Sequence, residues 1–146
     1  FGMKYSSGLY IQSGPDKLDQ WAAAMSANNN VLFGNGLGDV NGSIVESNKT
    51  HGLLKNADRK YNAHNQYIQT YVGLGIIGLI LLIGMLLYSW DSKKPFLKLN
   101  NYFLLYLSIV FLSESYFQRH HGIVFIAFVL CLIQHQKNNA TSLTID

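Results

Sequence analysis

The chain has 146 residues, of which 49% are hydrophobic and 13% charged, and its formal net charge is +3. The positive charge is spread over both halves without a basic run or stripe, so the composition excludes nucleic acid as the expected partner. A single cysteine, Cys131, excludes an intrachain disulfide framework.

Residues 1–61 are rich in Gly, Asn and Ser and contain one strong helical pattern, DKLDQWAAAMSANN at 16–29. Pro15 and Asp16 suit the start of that helix. Its apolar residues recur at helical spacing and predict one apolar face: Leu18, Trp21, Ala22 and Met25. The following segment, VLFGNGLGDVNGS, is predicted to be loop or turn.

The GNGLGD segment at 34–39 superficially resembles a loop that cradles phosphate. Its glycine spacing differs from G-x-G-x-x-G, and no strand and helix bracket it in the required order. We therefore predict a tight turn that depends on its glycines.

Residues 62–90 predict a membrane-crossing helix. No Asp, Glu, Lys or Arg lies between Lys60 and Asp91, and the aliphatic part approaches the ~20 residues that a helix needs to cross a bilayer core. Asn62 is the expected helix cap, since its side chain can accept from the first free backbone amides. His64 is then expected at the membrane surface.

Residues 101–135 predict a second membrane-associated unit, a helical hairpin. Two apolar stretches, 99–117 and 122–134, are separated by QRHHG, which places the tip near 118–122. The second stretch is shorter than a full span, so it must tilt, begin below the surface or continue through the polar HQK segment.

Lysines in the link at 91–100 set the expected orientation. Lys93, Lys94 and Lys98 lie there, whereas the hairpin tip offers only Arg119. By the positive-inside rule, the link and the tail at 136–146 face the cytoplasm. Residues 1–61, His64 and the hairpin tip then share the outer side.

His64 and the charges near the hairpin tip have two interpretations each. His64 is either a residue at the start of the helix with a solvent-exposed imidazole, or a base whose protonated form is disfavoured by the adjacent helix N-terminus. Glu114 is costly near the end of an apolar stretch unless it is paired, and Arg119 is the obvious partner. That pair is either a structural lock or part of a substrate site.

Five histidines invite a zinc site, but their spacing does not support one. His120 and His121 are adjacent and point in different directions on any regular element, and no second ligand pair stands at metal spacing. We therefore predict neither a metal nor a cofactor.

Several segments, in this order, resemble the C-terminal part of the bacterial O-antigen ligase and O-antigen polymerase superfamily. They are WAAAM at 21–25, FGNGLGD at 33–39, NAHNQYIQTYVGLGIIGLI at 62–80 and SESYFQRHHGIVFIAF at 113–128. The most specific stretch runs from HNQYIQ to GIIGLI. Because the chain starts at Phe1 without a signal peptide, an outer location for its first part requires upstream spans, and we expect a C-terminal piece of a larger protein.

The resemblance implies an all-α, multi-pass protein of the bacterial inner membrane with a partly helical periplasmic loop. Such enzymes move a glycan from an undecaprenyl-diphosphate carrier to an acceptor hydroxyl, without a metal or a nucleotide. The acceptor is a lipid A core sugar in ligases, another repeat unit in polymerases, and a Ser or Tyr hydroxyl in protein-glycosylating members. Membrane lipids are the remaining expected partners.

The resemblance also assigns roles to particular residues. His64 matches the family histidine proposed as catalytic base or acceptor-positioning group. Apart from the resemblance, a departing diphosphate needs cations, and the candidates on the expected outer face are Lys17, Arg59, Lys60 and Arg119. Asn65 and Glu114 are also expected to bind substrate. Lys17 stands where many members place an arginine, and lysine lacks the bidentate fork of arginine toward a diphosphate. The alternative from a different functional class is a non-enzymatic membrane scaffold or a fragment of a transporter.

Overall fold

The computed structural model describes residues 17–88 and 98–142, and the regular structure within these ranges is entirely helical. The all-α fold class is thereby confirmed for these residues. A 3₁₀ turn at Tyr116–Gln118 separates the last two α-helices. The helices in chain order are α1 (Lys17–Ser26), α2 (Val40–Thr50), α3 (Leu54–Asp58), α4 (Gln66–Tyr88), α5 (Lys98–Val110) and α6 (His120–Ser142).

Helices α1 and α2 pack on the first half of α4 around a small apolar core. Most members of this core are short side chains, which lets the helix backbones approach closely. Ile68 and Tyr71 cover it from α4. The buried core residues are Ala24, Ala27, Val40, Ile44, Ala63 and Val72.

The predicted apolar face of α1 is wrong. Leu18 is 70% exposed and Met25 is 52% exposed, whereas Gln20, Ala23 and Ala24 are buried. The alanines face the core because a close helix contact leaves no room for larger side chains. Gln20 joins them because its amide donates to the Asn62 carbonyl, 3.0 Å away.

Helix α2 begins inside the segment at 31–43 that the sequence pattern predicts as loop or turn, and α3 lies in a stretch without a predicted helix. The sequence of α2, VNGSIVESNKT, has Val40 and Ile44 as its only buried apolar residues. Two apolar residues in a polar, glycine-containing stretch give no detectable helical period. Tertiary packing stabilises this helix, so its intrinsic propensity is a poor guide.

Asn65, and not Asn62, caps α4. The Asn65 Oδ1 atom accepts from the backbone amides of Tyr67 (3.0 Å) and Ile68 (3.2 Å). Asn62 Oδ1 instead accepts from the backbone amide of His64 at 3.0 Å. The predicted start of the helix is therefore wrong by about one turn, and His64 lies in the preceding loop.

Helix α4 is broken at Gly75, which has φ 66° and ψ −163°. The break frees backbone groups on both sides, and the loop between α1 and α2 satisfies them. The four hydrogen bonds are Asn35 N to Val72 O (2.8 Å), Gly36 N to Gly73 O (2.9 Å), Ile76 N to Val31 O (2.8 Å) and Ile77 N to Leu32 O (3.4 Å).

Glycine is required on both sides of this contact. A Cβ on Gly75 would lie 2.2 Å from the Leu32 carbonyl oxygen, and one on Gly34 would lie 2.5 Å from the Gly73 carbonyl carbon. Gly34 (φ 70°) and Gly36 (φ 93°) both have left-handed backbone. The predicted glycine-dependent turn is thus confirmed, and its glycines also allow the backbone of the loop to lie against the backbone of α4.

Helices α5 and α6 form the predicted hairpin, although its connection differs from the prediction. The connection covers 111–119 and includes the 3₁₀ turn, whereas the predicted tip was 118–122. Helix α6 continues through the HQK segment to Ser142, which is one of the three alternatives that its short apolar stretch allows. The hairpin packs on the second half of α4 through Leu82, Leu86, Leu104, Leu107, Phe111 and Ile126.

Within the described ranges, α4 is the one helix long and apolar enough to cross a membrane, and His120–Ile133 is a shorter apolar helical segment. Beyond Gly75, α4 presents large apolar side chains outward: Ile80 is 61% exposed and Leu81 is 67% exposed. Lys93 and Lys94, on which the predicted orientation depends, lie outside the described residues.

Candidate functional site

The loop between α3 and α4 holds His64 in an uncommon backbone conformation. Its φ is 46°, in the left-handed region, which histidine tolerates better than most residues. Three hydrogen bonds fix the loop: Gln20 to the Asn62 carbonyl (3.0 Å), the His64 amide to Asn62 Oδ1 (3.0 Å), and the Ala63 amide to Gln69 Oε1 (3.0 Å). The imidazole is therefore presented by a pinned loop.

The hairpin connection brings a carboxylate and a guanidinium close to this imidazole. Nδ1 of His64 lies 3.4 Å from Oε1 of Glu114, and Nη2 of Arg119 lies 3.4 Å from Oε2 of the same carboxylate. The side chains are 25%, 37% and 61% exposed for His64, Glu114 and Arg119. The proximity of Glu114 and Arg119 predicted from the sequence is confirmed, and His64 joins them.

Tyr61 and Arg59 extend the arrangement on the other side of His64. The rings of Tyr61 and His64 meet edge to face with centroids 5.4 Å apart. Arg59 Nη1 donates to the Tyr61 hydroxyl at 2.9 Å, and this hydrogen bond raises the pKa of the guanidinium. Arg59, Tyr61, His64, Glu114 and Arg119 thus form one continuous row, called the His64 row below.

Backbone contacts between α4 and the hairpin connection set the distance from His64 to Glu114. The Asn65 amide donates to Ser115 Oγ (3.2 Å), and the Gln66 amide donates to the Phe111 carbonyl (2.7 Å). In return the Phe117 amide donates to Gln66 Oε1 at 2.8 Å. Asn65, Gln66 and Ser115 are all buried, so these bonds are shielded from water.

The carboxylate of Glu114 fixes the chemistry that His64 can perform. A carboxylate beside Nδ1 favours the tautomer with hydrogen on that nitrogen, which leaves Nε2 as the basic atom. The helix N-terminus acts less directly on the imidazole than the sequence predicts, because Asn65 lies between His64 and α4 and its side chain caps the helix. Oε2 of Glu114 is shielded from solvent, and the group nearest to it among the described ion pairs is Nη2 of Arg119 at 3.4 Å.

One cavity is lined by residues of the His64 row, and a second lies along α4. The first, about 300 Å³, combines the Glu114 and Arg119 charges with the aromatic rings of Tyr116 and Phe125. The second, about 390 Å³, is lined by amide and hydroxyl groups at one end and by aliphatic side chains at the other. The polar end is formed by Gln66, Gln69, Thr70 and Gln118, and the apolar end by Leu74, Leu81, Leu82 and Met85.

Two residues predicted to bind substrate are not joined to this row or have another role. Lys17 is exposed at the first residue of α1, and none of the ion pairs among the described residues joins it to the His64 row. Asn65 is buried, and its side-chain oxygen is used to cap α4. Arg59, Glu114 and Arg119 are the predicted binding residues that the fold brings together with His64.

Tyr61, Gln66 and Ser115 belong to the site but were not predicted from the sequence. One signal could have indicated Gln66: together with Gln69 and Thr70 it places polar groups at helical spacing in an otherwise uncharged, apolar helix. No comparable pattern marks Tyr61 or Ser115. Their roles depend on the fold of the connection and of the loop.

Glu114 and Arg119 are expected to be energetically coupled. Removing Arg119 leaves a partly buried carboxylate with only His64 near it, whereas removing Glu114 leaves a guanidinium that is 61% exposed, so we expect Arg119→Ala to destabilise more than Glu114→Ala. The coupling between the two should be about 0.5–1 kcal/mol, because both side chains are partly exposed. Thermal unfolding of the full-length protein in detergent, for each single variant and the double variant, measures it. Strictly additive losses would show that the pair contributes nothing and would leave both residues free for substrate.

Glu114 also contacts His64, so its replacement disturbs more than the pair with Arg119. The double-mutant cycle therefore needs a matched control. Glu46 and Lys49 form an exposed ion pair on α2, with 3.2 Å between Oε2 and Nζ. The same cycle on this pair should give a smaller coupling, since both groups are more than half exposed.

The His64 row therefore combines an imidazole, a carboxylate and two guanidinium groups at the N-terminal end of α4. The resemblance to the ligase and polymerase superfamily rests on the sequence motifs alone and stays a prediction. Comparison of the chain with protein-family models, with characterised proteins and with solved structures gives no match.

Proposed function

We propose that this chain is part of a membrane glycosyltransferase, similar to O-antigen ligases, that moves a glycan from an undecaprenyl-diphosphate carrier to an acceptor hydroxyl. The observation that carries the proposal is the contact of His64 with Glu114, and of Glu114 with Arg119, beside a helix apolar enough to span a membrane. O-antigen polymerases and protein O-oligosaccharyltransferases of the same superfamily use the same chemistry with other acceptors.

His64 acts as the base in this mechanism. Nε2 removes the proton of the acceptor hydroxyl as its oxygen attacks the anomeric carbon of the donor glycan. Glu114 stabilises the imidazolium that forms, since its Oε1 lies 3.4 Å from Nδ1. The bond between the anomeric carbon and the diphosphate oxygen breaks, and its electron pair leaves with the carrier diphosphate.

Two cations are available for the departing diphosphate. Arg59 is exposed and Arg119 is 61% exposed, so both guanidinium groups, which stay charged at physiological pH, can turn toward a ligand. Arginine binds phosphate oxygens through two parallel hydrogen bonds. We assign the diphosphate to these two residues and not to Lys17, which forms no ion pair with the row.

Position along α4 also supports a substrate that has a lipid end and a sugar end. The aliphatic part of α4 begins near Val72, about 9 Å along the axis from Gln66 at 1.5 Å per residue. That distance puts His64 at the level of the headgroup region when α4 spans a bilayer. The carrier diphosphate occupies the same level.

A transporter fragment is the main alternative, and the broken helix bears on it. Transporters place polar groups or broken helices near the bilayer midplane. The uniformly apolar sequence of α4 predicts an unbroken helix and so argues against a transporter. Because α4 is in fact broken at Gly75, this argument against a transporter no longer holds. A different observation favours the enzyme: the backbone groups freed at the break are hydrogen-bonded to the loop at 31–36, so they do not coordinate an ion.

The orientation of the chain gives the first test of this proposal. Cysteines placed at Ser43 and Ser92, in a Cys131→Ala background, should differ in reaction with a membrane-impermeant thiol reagent on intact cells. Ser43→Cys should react, and Ser92→Cys should react only after the cells are opened, because Lys93, Lys94 and Lys98 favour a cytoplasmic link. The opposite pattern would move His64 to the cytoplasm and contradict a donor on the outer face.

Loss of the protein gives the second test. Cells that lack it should accumulate carrier-linked glycan and lose transferred product, and expression of the full-length protein should reverse both effects. A scaffold or a transporter predicts a different result, since glycan transfer would continue in membranes supplied with donor on the outer side.

A further inference from the structure

The loop between α1 and α2 exposes an unusual cluster of large apolar side chains. Val31, Leu32, Phe33 and Leu37 are 62%, 56%, 65% and 65% exposed. The loop lies against α4 at its break, where Leu74 and Ile77 are also exposed. The apolar surface of the loop is therefore continuous with the outward apolar surface of α4.

The polar backbone of this loop is largely used within the protein. Asn30 Oδ1 accepts from the amides of Leu32 and Phe33, both at 3.1 Å. The carbonyls of Val31 and Leu32 accept from α4 across the break. An irregular loop normally stays out of hydrocarbon because its backbone groups would lose their hydrogen bonds, and here those groups are bonded to protein.

Charge is also compatible with a lipid environment. Between Asp19 and Asp39 the chain has no Asp, Glu, Lys, Arg or His. Two asparagine side chains on this segment bond inward: Asn28 Nδ2 donates to the Tyr71 carbonyl at 3.2 Å, and Asn35 Nδ2 donates to the Ala27 carbonyl at 2.6 Å. Entry of the loop into lipid therefore requires no buried charge.

We propose that the loop at 30–37 is inserted into the outer leaflet, with Val31, Leu32, Phe33 and Leu37 in contact with lipid hydrocarbon. The loop then extends the membrane-embedded surface of α4 sideways, just below the level of His64. This inference rests on the proposed membrane location of α4, but it does not depend on glycan transfer.

Fluorescence quenching of single labelled cysteines tests the insertion. The full-length protein, in a Cys131→Ala background, is reconstituted in vesicles of phosphatidylethanolamine and phosphatidylglycerol and labelled with an environment-sensitive dye. Phe33→Cys reports on the loop, Leu81→Cys on α4, and Glu46→Cys on the exposed surface of α2. Phe33 and Glu46 are exposed, so neither substitution removes core packing.

We expect the dye at position 33 to be quenched by lipids with nitroxide-labelled acyl chains, as at position 81, and to be protected from aqueous iodide. The dye at position 46 should show the reverse. Iodide quenching at position 33, or quenching by neither agent because other protein covers the loop, would overturn the insertion. Iodide quenching at position 81 would overturn the membrane location of α4 itself.

Discussion

Replacing His64 by alanine is expected to lower glycan transfer by about 10²- to 10⁴-fold, because the acceptor hydroxyl loses its base. Folding should be retained, because the imidazole is partly exposed and its recorded interactions are an edge contact with Tyr61 and a 3.4 Å approach to Glu114. Cells expressing full-length variants at matched levels are assayed for accumulated carrier-linked glycan and for transferred product. Wild-type transfer by His64→Ala would return His64 to a structural role in the loop.

Two further variants separate the base from other roles of His64. Asparagine tolerates the left-handed conformation that His64 adopts, so His64→Asn controls for backbone strain. His64→Gln can donate or accept a hydrogen bond but cannot take up a proton at neutral pH. Both should be as inactive as His64→Ala. Near-full activity of His64→Gln would show that the side chain only orients the acceptor.

Replacing Gly75 by alanine is expected to destabilise the protein by several kcal/mol and to abolish most of its folded yield. Two independent effects add: a φ of 66° with ψ −163°, a combination essentially limited to glycine that costs other residues about 1–3 kcal/mol, and a Cβ that would lie 2.2 Å from the Leu32 carbonyl oxygen. The backbone of the loop cannot move without losing its hydrogen bonds to α4. The measurement is folded yield and thermal unfolding of the full-length protein in detergent.

The same helix offers a matched control for Gly75. A Cβ on Gly84 meets nothing within 4 Å, so Gly84→Ala should be neutral or stabilise by up to about 1 kcal/mol through helix propensity. Gly34→Ala should resemble Gly75→Ala, since it meets the α4 backbone from the other side. Tolerance of Gly75→Ala would contradict the close contact between the loop and the broken helix.

Local sequence signals were sufficient for some parts of this fold. The helix at α1, the long apolar helix α4 and the hairpin follow from residue periodicity and from apolar length, and the pairing of Glu114 with Arg119 follows from the cost of a lone acid. The glycine-dependent turn follows from its composition. Each of these features depends on residues that are close together in sequence.

Other parts depend on contacts between distant segments and could not be predicted. The break at Gly75 is stabilised by the loop at 31–36, which is some forty residues away, and a glycine in an apolar helix does not by itself indicate it. Helix α2 depends on packing against α1 and α4. The buried face of α1 is set by the close approach of its neighbours, which favours Ala23 and Ala24 over Leu18 and Met25.

In the candidate site, too, some residues could be predicted from local sequence and others depend on the fold. His64, Arg59, Glu114 and Arg119 were identifiable because their residue types are unusual beside apolar stretches. Tyr61 enters only because the left-handed turn at His64 brings the two rings together. Asn62 and Asn65 are equally plausible caps by residue type, and the hydrogen bonds of the loop decide between them.

The most direct test is transfer by the purified full-length protein in vesicles, with a synthetic undecaprenyl-diphosphate-linked glycan and a soluble acceptor. Wild-type protein should release undecaprenyl diphosphate and form glycosylated acceptor in equal amounts, and His64→Gln should reduce both by at least about 10²-fold. Absence of product with wild-type protein that binds the donor, or equal rates for wild type and His64→Gln, would contradict a glycosyltransferase that uses His64 as its base.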